Sequence, residues 1–226
     1  MLRRECIAYF KQKMAFIQID KFNEKVLSKR VRDAPSQMTM DTFPFVDPHF
    51  VGKSNADEVF LSDLECVHRG ISGDAIGLKE RYRSNGILNH RTGFDLHPFI
   101  DGSGDHLNSS LLNDIVYQFC HLVVRNGRNV QYPSLNAFFS RIGRFDASVR
   151  IAVVDARISF VRYMELNAFE MVLHELDYVE DGDERMESLH FRPAFAFEMT
   201  VSLNQSDKEC AVVKVLVVPL YRTACL

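Results

Sequence analysis

The chain has 226 residues, 46% of them hydrophobic and 25% charged, with a mean hydropathy of −0.12. These are the proportions of a soluble globular protein of one domain, or two small ones, able to bury a sizeable core. The formal charge of −3 is unevenly spread: residues 1–33 hold nine Lys or Arg against four Asp or Glu, which leaves 18 cations against 26 anions on the remainder.

Several classes drop out at once. The longest stretch free of Asp, Glu, Lys and Arg runs from Asn129 to Ser140, well short of the roughly 18 apolar residues of a membrane-spanning helix. Arg3 and Arg4 are followed by neither a continuous apolar core nor a small-residue cleavage site, so no secretory signal is expected; Glu5 and the lack of serine argue against a mitochondrial presequence. Cys6, Cys66, Cys120, Cys210 and Cys225 are scattered and form no CxxC pair. They read as free thiols of a cytoplasmic or other reducing compartment.

Residues 1–33 are helical in pattern, with Cys6, Phe10, Met14 and Ile17 on one stripe and Phe16, Ile19, Phe22 and Val26 on a neighbouring one. Pro35 ends the pattern, because the residue before proline is pushed out of the α region. Residues 34–50 carry three prolines among Phe43, Phe45, Val46 and Phe50, too apolar for a free linker and therefore an extended connector across the fold. Residues 51–106 are rich in glycine and polar side chains, with only Val59-Phe60-Leu61 and the segment around Cys66 and Val67 strand-like or helical, and form the least regular third, where a site is expected.

From Asn108 the pattern sharpens. Leu111, Ile115, Phe119 and Leu122 share a helical stripe, which predicts a helix over roughly 109–125 ending near Asn126-Gly127. A short helix follows, with Ser134 as N-cap, Leu135, Phe138, Phe139 and Ile142 on its apolar side and Gly143 as its stop. Beyond residue 147 the period changes to two, predicting strands at 149–153, 157–160, 195–203 and 211–220. The stretch 166–178 fits either a helix or a strand; the strand is favoured because the acidic run 180–184 resembles a hairpin tip leading to Leu189-His190-Phe191.

The segment His97-Pro98-Phe99-Ile100-Asp101-Gly102-Ser103-Gly104-Asp105-His106-Leu107-Asn108 leads directly into the predicted helix. It resembles the active-site loop of Fic-type nucleotidyl transferases, where His-Pro-Phe-x-Asp-Gly-Asn-Gly-Arg-x-x-Arg opens a helix N-terminus that holds nucleotide phosphates. The resemblance implies His97 as general base on a target hydroxyl, Asp101 as metal holder and an entirely helical fold. Ser103, Asp105 and Asn108 replace the usual Asn and the two Arg. That reverses the electrostatics phosphate transfer requires and marks the loop as degenerate. The bland reading is a Gly-rich turn capping a helix.

His90, His97, Asp101 and His106 also suggest a metal-dependent hydrolase site. The spacing matches neither a calcium loop, with His106 at position 6 and Leu112 at position 12, nor a compact zinc pattern. No Walker loop, dinucleotide fingerprint or serine elbow occurs. His49, His68, His121, His174 and His190 are dispersed and carry no assigned role, and the seven acids between Glu175 and Glu187 read as a solvated hairpin tip.

Arg3, Arg4, Lys11, Lys13, Lys21, Lys25, Lys29, Arg30 and Arg32 interleave with Tyr9, Phe10, Phe16 and Phe22. Such an arm suits nucleic-acid phosphate, an acidic membrane surface, a protein partner or the acidic 175–187 loop of another copy; it equally suits docking on its own domain. The expected fold is α+β: a basic helical N-terminal arm (1–33) and one domain (34–226), irregular at 34–106, helical at 107–147 and closed by a C-terminal antiparallel sheet of about four strands at 148–226. The expected function is a non-enzymatic interaction or assembly protein that self-associates, of the kind a viral structural or accessory protein would be, with no cofactor. The alternative is an enzyme using the 90–106 loop.

Overall fold

Among the described residues six antiparallel strands form one sheet that packs against a long helix. The computed structural model describes residues 42–69, 80–87, 109–126, 135, 139, 149–158, 168–187, 189, 193–205 and 208–219, all within the unit Gln37–Leu226. The strands are β1 (Glu65–Arg69), β2 (Glu80–Ile87), β3 (Val149–Ile158), β4 (Ala168–Glu180), β5 (Phe195–Gln205) and β6 (Lys208–Pro219), and the helix, α1, spans Ser109–Asn126. Their order in the sheet is β1-β2-β4-β5-β6-β3.

The helix forms where apolar residues fall at helical spacing, and it is buried on most of its circumference. Leu111, Ile115, Phe119, Leu122 and Val123 pack against the inward residues of the sheet, among them Met171, Leu173, Met199, Val201, Val213 and Val215. Each such side chain contributes roughly 1.5–3 kcal/mol when fully buried. The last turn is closed by Asn126, whose Nδ2 donates to the Leu122 carbonyl at 3.0 Å. Leu135 and Phe139 are helical and buried, and the Phe139 ring meets Phe197 edge-on at 5.1 Å.

Period-two alternation sets the sheet's other face. Val179, Ala196, Leu216 and Val218 point away from α1 and gather a second apolar cluster with Met186 and Leu189. The stretch between β4 and β5 therefore folds back over the outer face. It is stiffened by Arg185, which donates to Asp183 Oδ2 at 2.9 Å and to Asp177 Oδ2 at 2.6 Å. Gly182 makes the turn with φ 92°, a backbone region that costs other residues strain.

The connector from Thr42 to Leu64 runs across the helix and joins the sheet margin. Val46 N–H donates to Leu61 O at 2.9 Å, Ser62 N–H to Asn85 O at 2.8 Å and Ile87 N–H to Phe60 O at 2.9 Å. Two 3-10 turns shape it, Pro48–Val51 capped by Asp47 and Ala56–Glu58 capped by Asn55.

The architecture corrects the expected one. The sheet has six strands rather than about four, because β1 and β2 arise from the stretch expected to be irregular. The entirely helical fold implied by the Fic-like loop is overturned by the same sheet. Residues 149–158 form one strand, not two segments: a register shift between Val153 and Asp155 breaks the alternation without breaking the pairing to β6. Of the segment Leu189-His190-Phe191, only Leu189 is described, and it lies in a bend; pairing with β4 is seen from Phe195, opposite Glu180. The arm at 1–33 and most of the short helix after Ser134 lie outside the described residues. Among the described residues no helix is long and apolar enough to cross a membrane.

Candidate functional site

The one polar stripe of α1 faces the connector. Asp114, Gln118, His121 and Arg125 recur at intervals of four, three and four residues, which places them on one side of a 3.6-residue helix. Lys53, which follows the Pro48–Val51 turn, brings its Nζ to 2.7 Å from Asp114 Oδ1, and both side chains are largely buried. Gln118 is fully buried. Its Oε1 accepts from Phe60 N–H at 3.0 Å, and its Nε2 donates to Glu58 O at 2.8 Å and to Asp114 Oδ2 at 3.3 Å. A single side chain thus satisfies two backbone groups that burial would otherwise leave orphaned.

His121 is the stripe's unsatisfied member. It is 4% exposed, and neither Nδ1 nor Nε2 has a hydrogen-bond partner. Its ring lies 4.4 Å from that of Tyr117 and against Gly52, where an added Cβ would stand 3.1 Å from ring atoms. Gly52 also adopts φ 70°, so two independent constraints call for glycine there. Burial, reinforced by the charges of Arg125 and Lys53, lowers the His121 pKa to about 4; the ring is neutral at pH 7. One residue earlier, burial raises the Cys120 thiol to about 12, which makes it inert.

This stripe is a brace. Both Asp114 oxygens are engaged, and the His121 ring is sealed between Tyr117 and Gly52, so neither offers a free base to a substrate. His174 Nε2 lies 2.8 Å from Ser202 Oγ across β4 and β5, but Ser202 is 1% exposed, so the hydroxyl is closed off from solvent. A cleft of about 160 Å³ opens between Phe43, Pro44, Ser62, Asp63, Glu65 and Asn85. Its two carboxylates disfavour an anionic ligand. Among the described residues no His, Cys, Asp and Glu cluster could hold a metal ion.

His90, His97, Asp101 and His106, and the arm residues Arg3, Arg4, Lys11, Lys13, Lys21, Lys25, Lys29, Arg30 and Arg32, are all outside the described residues. Lys53, Asp114, Gln118 and His121 were not singled out, although the polar spacing along α1 was available as a signal. Of the acidic run, Asp177 and Asp183 are not a free anionic tip but clamp Arg185. Bonding to that guanidinium lowers the Asp183 carboxyl to about 2.

No protein-family model matches the chain, and no curated protein matches its sequence. Solved structures do resemble it in part. A hypothetical protein from Staphylococcus aureus in complex with CoA is 12% identical, with 66% of this chain and 74% of that one covered at a TM-score of 0.32. A thioesterase from Haemophilus influenzae is 12% identical over 71% of this chain and 82% of its own, at 0.31. A mutant thioesterase from Pseudomonas aeruginosa is 15% identical over 67% and 81%, at 0.27. The expectation had been a non-enzymatic assembly protein of viral type that binds nucleic acid or a membrane surface; what these partly similar structures are named for is instead thioesterase activity in two cases and a complex with CoA in the third.

Proposed function

We propose that this chain is an enzyme that hydrolyses a thioester, the activity named for two of the partly similar structures. The observation that carries the reading is the chain's own topology: a β1-β2-β4-β5-β6-β3 antiparallel sheet wrapped around one buried helix, a hotdog-like layout. The segment that enters this helix at Ser109 carries His97, Asp101 and His106. A helix start supplies backbone N–H groups without intrahelical partners, which suit an oxyanion.

In this reading His97 takes a proton from water as its oxygen attacks the thioester carbonyl carbon, and Asp101 orients the imidazole. The tetrahedral oxyanion then collapses and the C–S bond breaks. The departing thiolate takes the proton from His97, which leaves a carboxylic acid and a free thiol. In this reading the chain self-associates as a homo-oligomer.

The test is thiol release from a panel of acyl-CoA esters of differing chain length by the full chain, with acyl N-acetylcysteamine thioesters beside them. Turnover that falls about 100-fold or more in His97→Ala, with the far-UV spectrum unchanged, supports the reading. Absence of turnover on every thioester, or turnover indifferent to His97, overturns it.

A further inference from the structure

We infer that residues 47–57 form a flap over α1 that protonation of His121 releases while the sheet stays folded. The inference does not depend on the thioester reading. The segment leaves and rejoins the sheet margin at neighbouring points: Val46 N–H donates to Leu61 O at 2.9 Å, and Phe45 bridges Ser62. A loop whose ends lie this close lifts as a unit without disturbing what it joins. Gln118 holds the returning end, through Glu58 O and Phe60 N–H. Between these anchors the flap meets α1 through Val51, which is fully buried in the core cluster that contains the helix, through the Lys53–Asp114 ion pair at 2.7 Å and through Gly52, which lies on the His121 ring.

The closed flap is built for a neutral ring. His121 is buried, and among the described residues neither ring nitrogen has a hydrogen-bond partner, so an imidazolium would hold two N–H donors without acceptors in a place closed to water. The surrounding charges make it worse. Lys53 on the flap and Arg125 one turn along α1 both oppose a further cation, while Asp114, the carboxylate of the stripe, is engaged by Lys53 and Gln118. Tyr117 presents its ring. The flap's other titratable groups are His49, Asp47 and Glu58, all exposed, and Asp57, half-buried. With the flap lifted, water reaches His121 and the ring returns toward its ordinary pKa of 6.5; under the flap burial holds it at about 4. The open form therefore binds the proton more tightly, and acid favours opening. These two values make opening about 20-fold more favourable at pH 5 than at pH 7.

The experiment is amide hydrogen exchange of the full chain between pH 7 and pH 5, with each rate divided by the intrinsic exchange rate at that pH to give an opening constant. Lys53, whose N–H donates to Pro48 O at 2.9 Å within the turn, reports the flap, since a single 3-10 turn does not persist once undocked. Val201 in β5 reports the sheet. The opening constant at Lys53 is expected to exceed that at Val201 by about tenfold or more throughout and to rise about 20-fold from pH 7 to pH 5. His121→Gln and His121→Phe should each remove most of that rise, and His49→Gln should keep it. Gly52→Ala, whose Cβ would stand 3.1 Å from the ring, should raise the opening constant at pH 7 without any proton. Equal opening constants at Lys53 and Val201 would make the proton's effect global and overturn the inference. So would a rise that survives in both His121 variants, or one that is lost in His49→Gln.

Discussion

Replacing Gln118 with leucine isolates what holds the connector to the helix. The side chain is fully buried and serves Phe60 N–H at 3.0 Å and Glu58 O at 2.8 Å. Leucine fills a similar volume but leaves that donor and that acceptor without a partner in a place water does not reach. An unsatisfied buried group costs about 1–3 kcal/mol, so two of them cost about 2–6 kcal/mol, while the added apolar contact returns about 1 kcal/mol. The net expectation is a loss of about 1–5 kcal/mol. Urea unfolding gives the value from the midpoint and slope, and hydrogen exchange at the Phe60 amide should accelerate by a larger factor than at Val201 in β5. A loss below about 0.5 kcal/mol, within the range of an ordinary surface substitution, would refute the claim that Gln118 pins the connector.

Gly86→Ala should destabilise by about 2 kcal/mol or more, because a Cβ there would lie 2.2 Å from Phe169 Cζ; in a Phe169→Leu background the same change should cost clearly less, as unfolding curves of the four proteins will show. Stability should fall as the pH drops from about 6.5 to 4, since His121 binds a proton more readily unfolded than folded, where its pKa is about 4; His121→Phe should flatten that slope in unfolding midpoints measured across the range. The Arg185 clamp acts lower on the scale: Asp183 has its folded pKa lowered to about 2, so its contribution is present above the ordinary carboxylate range and is lost as pH falls through about 2. Asp183→Asn should remove that acid dependence from the same titration.

The helix and the two C-terminal strands were legible because each keeps one period throughout. Leu111, Ile115, Phe119 and Leu122 hold the helical spacing, Phe195 to Leu203 alternates, and Ala211, Val213, Val215 and Val217 recur at every second position, because one face of each strand meets α1. The features that failed are those where the period is interrupted. A register shift between Leu173 and Glu175 in β4 makes Phe169, Leu173 and Leu176 look helical, and the shift at Val153/Asp155 splits β3 into two apparent pieces. β2 was hidden for another reason. Glu80–Ile87 is mostly polar, with Arg83 tied to Glu65 and Glu170 on the neighbouring strands, and its glycine is the space occupied by the Phe169 ring. These are tertiary facts that a single strand's composition does not carry. The polar stripe of α1 was present as a spacing, but its meaning depends on Lys53, Glu58 and Phe60, more than fifty residues away in sequence.

The proposed activity is thioester hydrolysis by groups on the segment that enters α1. The most direct measurement is kcat/KM for thiol release from one acyl-CoA by the full chain and by His97→Ala. The result expected is measurable turnover by the wild type and a drop of about 100-fold or more in the variant, with equal unfolding midpoints. Equal rates in the two proteins, or no thiol released by either, would contradict it.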